Sequence, residues 1–522
     1  MSSATAQPAY RAPPPLEGSA RMWGTVALSA ATFMNVLDTS IANVSLPAIA
    51  GDLGVSSNQG TWVITSFAVA NAIAVPLTGW LSQRFGQVRL FCTSVVLFVI
   101  ASWLCGLAPN MATLIAFRAL QGFVAGPMIP LSQTLLLSSY PKAAAGTAMA
   151  MWSMTTLIAP VMGPLLGGWI TDNMTWPWIF YINIPVGLIA AVGAWSLYRK
   201  RESQVRKLPI DSIGLALLVL WVGSMQVMLD LGKENDWFHS PMVVALGVVA
   251  VVGFAFFLAW EFTEKHPVVD LSLFARRNFW AGTLATAVGY GLFFGNVVLL
   301  PLWLQQFMGY TATQAGMVTA PVGLMALILS PVVGKNLHRV DPRRFATGAF
   351  LVFAVVLYLR SRFNTQADIF TILVPTLIQG VAMALFFIPL VTITLSGLPP
   401  ERIPAASGLS NFVRITAGAI GTSVVTTIWE NRAALHHAQL SESVTRGSPA
   451  GDAIAALGAA GLSPEQALAQ VNRLVDQQAF MLAANDVFYA SAIIFLLLIP
   501  LVWLSHPTVA SKGSADAAAG AH

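Results

Sequence analysis

Apolar runs of about 20 residues with almost no charge recur along the whole chain, and this repetition limits the fold more than any other feature. A helix of about 20 residues crosses the roughly 30 Å hydrocarbon core of a membrane. Only 9% of the 522 residues are charged, against about 25% in soluble domains, which excludes a water-soluble globule. A membrane barrel would instead show alternating segments of about ten residues. We therefore expect an all-α, polytopic membrane protein.

The runs predict fourteen transmembrane helices in a 6+2+6 arrangement. Their centres lie near residues 36, 70, 97, 124, 158, 188, 220, 250, 294, 323, 351, 383, 417 and 495. The predicted parts are a disordered N-terminus (1–20), an N-terminal six-helix bundle (21–200), two inserted helices that link the halves (201–277), a C-terminal six-helix bundle (278–505) that includes an extramembrane loop (431–484), and a disordered tail (506–522).

The positive charges indicate the orientation. Most of the 27 Lys and Arg residues fall in the two tails and in the loops after even-numbered spans, including the cluster RKRESQVRK at 199–207. The positive-inside rule then predicts that both termini are cytoplasmic and that the 431–484 loop is periplasmic. Because topology accounts for the basic balance, the net charge of +5 gives no reason to expect nucleic acid as a partner.

Internal repeats relate the two six-helix bundles. PLTGWLSQRFG from Pro76 matches PVVGKNLHRVD from Pro331, and LQGFVAGPMIPL from Leu120 matches IQGVAMALFFIPL from Ile378. The matches keep their order at nearly the same offset, about 255 to 262 residues, which indicates duplication. Six spans per repeat, an even number, predict two parallel repeats of the kind found in large facilitators.

Three charged residues lie within predicted spans, at the middle third of the membrane: Asp38, Arg118 and Arg414. The repeat aligns them with Leu299, Thr376 and Trp152, so the six-helix unit does not need a charge at these positions. A mid-membrane charge costs about 2.5–3.5 kcal/mol on insertion scales, which favours a functional role. We expect Asp38 and Arg118 to lie on polar helix faces that line one wet cavity. The alternative is a purely structural ion pair.

Five segments together resemble the fourteen-span drug:proton antiporters of the major facilitator superfamily, its EmrB/QacA subfamily, over residues 20–505. LDTSIANVSLP at 37–47 is similar to the first-helix signature, and RALQGFVAG at 118–126 to a motif whose arginine is tied to proton movement. GWLSQRFGQVR at 79–89 is similar to the cytoplasmic-loop motif, although Gln83 replaces its usual acidic residue. APVMGPLLGG at 159–168 is similar to the antiporter motif, and WPWIFYINIPVG at 176–187 to the segment that enters span 6.

The resemblance implies a role for each matched residue. Asp38 and Arg118 would couple transport to protons. We also expect five polar residues of the predicted spans to line the substrate cavity: Asn35, Gln121, Asn296, Asn411 and Arg414. The conformational motifs would be carried by Gly79, Arg84, Gly86, Pro160, Gly163, Pro164, Gly167 and Gly168. Independently, Gly163 and Gly167 are four residues apart, which lets two helices approach closely. This spacing suits an interface between the halves, and the alternative is plain helix packing.

The implied function is proton-driven efflux of hydrophobic or amphipathic toxic compounds across the bacterial inner membrane by alternating access. The 431–484 loop would dock a periplasmic membrane-fusion adaptor that leads to an outer-membrane channel. The alternative is a metabolite or siderophore exporter on the same fold. We expect no enzyme activity, cofactor or metal, because the seven His residues lie at span ends, loops and tails, and His436 and His437 point to different helix faces.

Overall fold

The computed structural model describes residues 14–55, 57–141, 144–205, 209–232, 235–337, 339–442 and 449–507. This part of the chain is helical and contains no strand, as the sequence predicts. Its helices are α1 Gly18–Asp52, α2 Ser57–Gly60, α3 Trp62–Ala74, α4 Thr78–Phe85, α5 Gln87–Gly106, α6 Met111–Ala125, α7 Met128–Ser139, α8 Ala145–Asn173, α9 Trp178–Tyr181, α10 Asn183–Tyr198, α11 Ser212–Gly232, α12 Pro241–Thr263, α13 Arg277–Phe307, α14 Ala312–Thr319, α15 Pro321–Asn336, α16 Pro342–Arg360, α17 Ile369–Leu395, α18 Ile403–Glu442, α19 Pro449–Ala459 and α20 Pro464–Trp503.

Twelve stretches of the described chain are long and apolar enough to cross a membrane, and the bent pair α3–α4 makes up to thirteen. This pair bends by 62° where the second predicted span meets the cytoplasmic-loop motif. The predicted span centred at residue 158 corresponds to α8, which is 29 residues long but is not one of the twelve. The multi-pass character is therefore established, and the count of fourteen stays a prediction.

Each six-helix bundle has its own apolar core. Phe91 and Phe98 of α5 are fully buried in the N-terminal bundle. In the C-terminal bundle Phe353 of α16 stacks on Phe495 of α20 with ring centroids 4.6 Å apart. The inserted helices α11 and α12 pack on each other, and Trp221 of α11 contacts Phe412 of α18. Within a membrane such rings stabilise a bundle through close van der Waals packing, because lipid tails are as apolar as the side chains.

The two bundles meet closely at one end of the molecule. A Cβ added at Gly334 of α15 would lie 2.7 Å from the backbone oxygen of Gly146 of α8. Nearby, Gly79 of α4 lies directly against Ala405 of α18, since an added Cβ would be 2.6 Å from the Ala405 Cβ. The positive-inside rule predicts that this end faces the cytoplasm. The conformation is therefore closed at that end.

The predicted 431–484 loop consists largely of two long helices that continue from the membrane. α18 and α20 each have 40 residues, or about 60 Å at 1.5 Å per residue, and α19 lies between them in the chain. The Ser463 side chain accepts a hydrogen bond from the Gln466 amide and caps α20, as the sequence pattern predicts.

The ends of the chain depart slightly from the predicted boundaries. α1 begins at Gly18, so the last three residues of the predicted disordered N-terminus are helical. The His506 amide donates a hydrogen bond to Asn278, which orders the first residue of the predicted tail. The remaining predicted disorder, at 1–13 and 508–522, lies outside the described residues.

Candidate functional site

Asp38 and Arg118 form an ion pair in the interior of the N-terminal bundle. The Arg118 Nη1 donates to Asp38 Oδ2 at 2.6 Å, and the two side chains are 0% and 1% exposed. The other carboxylate oxygen, Oδ1, accepts hydrogen bonds from Gln121 at 3.1 Å and from Asn183 at 2.7 Å. Three helices, α1, α6 and α10, thus converge on one carboxylate, and the donor set matches an ionised group that can accept at both oxygens.

The Nε and Nη1 atoms of the Arg118 guanidinium are hydrogen-bonded within the N-terminal bundle, whereas Nη2 is buried without a hydrogen-bond partner. Its Nε donates to the Val63 carbonyl at 3.0 Å, and its Nη1 also donates to Gln121 Oε1 at 2.7 Å. The guanidinium carbon lies 4.3 Å from the centre of the Phe67 ring and 5.5 Å from that of Phe180. Aromatic faces attract a cation electrostatically, so the rings lower the cost of burying it.

Local sequence signals position these groups. Asn110 caps α6 by accepting a hydrogen bond from the Thr113 amide, which sets Arg118 about two turns into the helix. α10 begins at Asn183, so this side chain projects from a helix start into the bundle. Ser102 of α5 then joins the network, since its Oγ accepts from Gln121 at 2.6 Å and from Asn183 at 3.2 Å.

The expected wet cavity around this pair is absent from this conformation. Asp38 is 2% exposed and Arg118 is 0% exposed, and neither lines the cleft between the bundles. The physical reason is that Gln121, Asn183 and the two aromatic rings fill the space around the pair. Proton exchange at Asp38 therefore requires the surrounding helices to move.

A separate cleft between the two bundles contains Asn411 and Arg414. The Arg414 Nη2 donates to Asn411 Oδ1 at 2.9 Å, and its guanidinium lies 4.6 Å from the Tyr290 ring centre. Trp152, the repeat partner of Arg414, lines the same cleft from the other bundle. Its further lining residues mix apolar and polar types: Gln133, Thr286, Phe387, Val391, Thr394, Leu395, Ser407 and Ser410.

The predicted substrate-cavity residues thus fall into three groups. Asn411 and Arg414 line the cleft, whereas Gln121 belongs to the Asp38 network. Asn35 and Asn296 line neither: Asn35 donates to the Ala125 carbonyl, and Asn296 donates to Leu292 and Ser491. The expectation that all five share one cavity is wrong, because these two amides tie helices together within their own bundles.

The C-terminal bundle also buries Arg360, which is the last residue of α16 and is 1% exposed. Its Nη2 donates to Gln379 Oε1 at 2.7 Å and to Thr376 Oγ1 at 3.2 Å. Gln379 and Thr376 are the repeat partners of Gln121 and Arg118. The C-terminal bundle therefore also has a buried cation beside the residues that correspond to the Arg118 site. Within the described residues no ion pair joins Arg360 to a carboxylate.

The cytoplasmic-loop motif contains a helix cap. Gly86 has φ +88°, and an added Cβ would lie 2.5 Å from the Glu202 carboxylate carbon. This carboxylate accepts hydrogen bonds from the amides of Val88 at 3.0 Å and Arg89 at 2.9 Å, at the start of α5. A carboxylate is favourable at a helix N-terminus. Because Gly86 has no side chain, there is room for this carboxylate beside the start of α5.

The arginine of the same motif contacts an aromatic ring: the Arg84 guanidinium carbon lies 5.3 Å from the Trp80 ring centre.

The antiporter motif packs α8 against α1. Pro164 has no amide hydrogen, so the Pro160 carbonyl lacks its intrahelical donor, and the Ser40 hydroxyl donates to it at 3.1 Å. A Cβ at Gly163 would lie 2.2 Å from Ser40 Oγ.

The two remaining glycines of the motif differ in their surroundings. A Cβ at Gly167 would lie 3.2 Å from the Ile41 carbonyl oxygen of α1, whereas one at Gly168 would meet nothing within 4 Å. Gly163 and Gly167 therefore permit close packing within the N-terminal bundle. The expectation that they form an interface between the bundles is wrong for this conformation, in which α1 occupies that face of α8.

Sequence reasoning missed four polar residues. Asn183 and Ser102 belong to the Asp38 network, Arg360 is the buried cation of the other bundle, and Glu202 caps α5. Asn183 lies inside the quoted segment WPWIFYINIPVG, where a lone amide at the start of an apolar run was an available signal. Ser102 and the buried Arg360 occupy matching positions of the two repeats, which a longer internal alignment could have shown. Glu202 had no signal, because its contact with α5 depends on the tertiary fold.

The Major Facilitator Superfamily profile matches residues 28–422. The chain is 51% identical over 510 residues to the multidrug export protein EmrB of Escherichia coli strain K12, covering 97% of this chain and 99% of that protein. It is 49% identical over 501 residues to the fatty acid resistance protein FarB of Neisseria gonorrhoeae, covering 96% and 99%.

Among solved structures, the human organic anion transporter MFSD10 superposes with a TM-score of 0.57. The superposition covers 92% of this chain and 99% of that one at 13% sequence identity, so it bears on the fold alone.

Proposed function

Because the chain belongs to the major facilitator superfamily, and within it to the EmrB-type multidrug exporters, we propose that it exports hydrophobic or amphipathic compounds in exchange for protons. The observation that carries the proton-coupling role is the buried pair of Asp38 and Arg118, with Gln121 and Asn183 on the second carboxylate oxygen. Asp38 can gain or lose a proton, whereas Arg118 keeps its positive charge because arginine stays protonated.

The proposed cycle moves one proton through Asp38. In the conformation open to the periplasm, Asp38 takes up a proton, its attraction to Arg118 is lost, and the helices that meet at the carboxylate rearrange. In the conformation open to the cytoplasm, Arg118 and incoming cargo favour the ionised form, and the proton leaves on that side. Alternating access around the cleft of Asn411 and Arg414 would then drive export by proton influx.

Transport in proteoliposomes with an imposed pH gradient tests this role. Asp38→Asn keeps the size of the side chain but removes the titration, so we expect gradient-driven export to be lost. Binding of a fluorescent hydrophobic cargo and the elution profile of the purified protein should persist, which controls for folding. Export at the wild-type rate by this variant would refute the role of Asp38.

In this conformation the cleft encloses only about 10 Å³, so we propose that bulky cargo with some polarity binds between its walls once the bundles separate. Trp152, Phe387 and Val391 offer apolar surface, while Asn411 and Arg414 offer hydrogen-bond donors. Apolar pockets with a few polar groups bind drug-sized molecules by bulk as well as by shape. We propose the inner membrane as the location, with both termini in the cytoplasm, because the positive charges concentrate on that side.

The extramembrane parts of α18 and α20 form our proposed docking surface for a periplasmic adaptor that leads to an outer-membrane channel. Arg432 of α18 pairs with Asp486 of α20 at 2.5 Å, which holds the two helices together at the base. Three leucines beyond this base remain exposed, at 44%, 56% and 53%: Leu435, Leu468 and Leu474. Exposed apolar residues outside a membrane favour a protein partner.

Aspartates at the three leucines should separate docking from transport. The variant Leu435→Asp, Leu468→Asp, Leu474→Asp should lose co-purification with a periplasmic adaptor protein and lose drug resistance in cells, while transport in proteoliposomes continues. Ile210→Asp, at a residue 57% exposed outside this surface, serves as the control. Unchanged adaptor binding by the triple variant would exclude these leucines from the contact.

A further inference from the structure

An apolar groove of about 390 Å³ lies among α15, α16 and α17 of the C-terminal bundle. Val332 lines it and is 54% exposed, and the neighbouring Ile328 on the same helix is 56% exposed, so the groove opens on the surface that faces lipid. Seven of its eight lining residues are apolar: Leu329, Val332, Val333, Val340, Phe345, Val381 and Leu385, with Asn336 as the eighth. Such a surface fits a hydrocarbon chain.

Exposed cations border the cytoplasmic mouth of the groove. Lys335 immediately precedes the lining residue Asn336, Arg339 precedes Val340, and Arg344 precedes Phe345. All three cations are exposed. They are therefore placed at the level of lipid head groups, directly beside a hydrocarbon-lined groove.

The one carboxylate in this loop, that of Asp341, is already paired with a cation. Arg343 donates to Asp341 through Nη2 at 2.6 Å and through Nε at 2.9 Å. Burial raises the pKa of Asp341, but the hydrogen bonds and charge of Arg343 lower it more, so the pKa lies below its ordinary value and the group stays ionised in the pair. The exposed Lys335 and Arg344 therefore add positive charge at the mouth.

We propose that this groove binds one anionic phospholipid of the inner leaflet. An acyl chain lies along the valines and Leu385, and the head-group phosphate interacts with Lys335, Arg339 and Arg344. Cationic side chains beside a membrane attract anionic lipid, and the adjacent apolar groove adds van der Waals contacts with an acyl chain that a free phosphate cannot make. The site lies outside both the Asp38 network and the cleft, so it does not depend on the proposed transport mechanism.

The groove adjoins the contact that closes the bundles. Val333 lines the groove, and the next residue, Gly334, lies against Gly146 of the other bundle. A bound lipid therefore touches the helix segment that must separate from α8 when the cytoplasmic end opens.

Photoaffinity labelling of the full-length protein tests the site. The purified protein in neutral nanodiscs is exposed to phosphatidylglycerol that carries a diazirine in its acyl chain, and labelled peptides are mapped by mass spectrometry. The same diazirine on phosphatidylcholine is the comparison probe. We expect phosphatidylglycerol to label residues 328–345 and 381–385 at least about fivefold more than phosphatidylcholine, because each cation near the head group favours anionic lipid by about that factor.

Two variants and a control make the result decisive. Replacing Lys335, Arg339 and Arg344 by glutamine should reduce labelling by phosphatidylglycerol to the phosphatidylcholine level, whereas glutamine at the exposed Arg199, Lys200 and Arg277 should leave it unchanged. Val332→Trp, at an exposed position that tolerates bulk, should block labelling within the groove by filling it.

Three outcomes would overturn the proposal. These are equal labelling by both probes, equal loss in the control variant, and labelling by phosphatidylglycerol that a long-chain fatty acid displaces with no effect of head-group charge. The last result would assign the groove to transported compounds.

Discussion

At the scale of single residues, the Asp38 carboxylate is defined by what surrounds it. Arg118, Gln121 and Asn183 donate to its two oxygens from two other helices, and Ser102 accepts from both amides. A network with this many partners is strongly destabilised when one charge is removed, by about 3–5 kcal/mol for a buried ion pair. Protonation of Asp38 removes that charge without removing the residue. A proton can therefore weaken the network by a similar free energy during transport.

The C-terminal bundle has a buried arginine, Arg360, but no carboxylate at the position that corresponds to Asp38. Arg360 bonds Gln379 at 2.7 Å, just as Arg118 bonds Gln121 at 2.7 Å, but Leu299 occupies the position that corresponds to Asp38. The two bundles therefore share an arginine–glutamine pair near the same depth. They differ in the titratable group, which places the proposed proton coupling in one bundle.

Leu299→Asp should recreate the missing partner. An unpaired carboxylate within the membrane costs about 2.5–3.5 kcal/mol, and pairing with Arg360 should offset most of that cost. We expect the variant to unfold in denaturing detergent at nearly the wild-type midpoint. In an Arg360→Met background the same substitution should lower the free energy of unfolding by about 2 kcal/mol more. Equal effects in the two backgrounds would show that the repeat does not bring these residues together.

Sequence reasoning at this scale identified charges more reliably than their surroundings. Asp38 and Arg118 could be paired because a membrane tolerates few charges, and the internal repeat showed that the fold does not require them. The burial of the pair could not be predicted, since it depends on Phe67 and Phe180 filling the space around Arg118. The separation of Asn35 and Asn296 from the cleft likewise depends on which face each helix turns to its neighbour.

At the scale of elements, the contact of α8 with α1 connects the antiporter motif to the Asp38 helix. Ser40, two residues after Asp38, donates to the Pro160 carbonyl that Pro164 leaves without an intrahelical donor. Gly163 permits that approach because it has no side chain. A shift of α1 on protonation of Asp38 would thus be transmitted directly to α8, which contacts the other bundle through Gly146.

Gly163→Ala tests the importance of this close approach. An added methyl would lie 2.2 Å from Ser40 Oγ, so α1 and α8 must separate, at a cost of about 1–3 kcal/mol in the free energy of unfolding. Transport should fall in parallel. Gly168→Ala adds the same methyl on the same helix where nothing lies within 4 Å, and should change stability by no more than about 0.5 kcal/mol. Similar effects of the two variants would count against the proposed coupling of α1 to α8.

Hydropathy predicted the long apolar helices well and the interrupted ones less well. The span centred at residue 70 is the pair α3–α4 with its 62° bend, because the Pro76 region interrupts the helix. The second helix of the pair carries the cytoplasmic-loop motif, and its polar and charged residues reduce the apolar signal on which span prediction depends.

At the scale of the whole molecule, the bundles are closed at the predicted cytoplasmic end. The contacts of Gly334 with Gly146 and of Gly79 with Ala405 join them there, and Gln133 hydrogen-bonds Ser407 and Asn411 across the same interface. Alternating access requires these contacts to break and form in every cycle. The glycines at this interface therefore have a role that packing within one bundle does not explain.

Gly334→Leu should keep this end open. The added side chain would meet the Gly146 backbone, which cannot rotate away, so the bundles cannot close and transport should fall about tenfold or more, which corresponds to roughly 1.4 kcal/mol against closure. Access of a water-soluble thiol reagent to Ser410→Cys in the cleft should rise. Gly316→Leu, where nothing lies within 4 Å, is the control. Unchanged reagent access would contradict the assigned conformation.

The central claim is that cargo binding displaces a proton from Asp38, and a pH-sensitive dye in weakly buffered, purified protein measures that proton directly. We predict that a hydrophobic drug makes the wild-type protein release protons in proportion to bound drug, and that Asp38→Asn binds the drug but releases none. Proton release of the same size from Asp38→Asn would contradict the account.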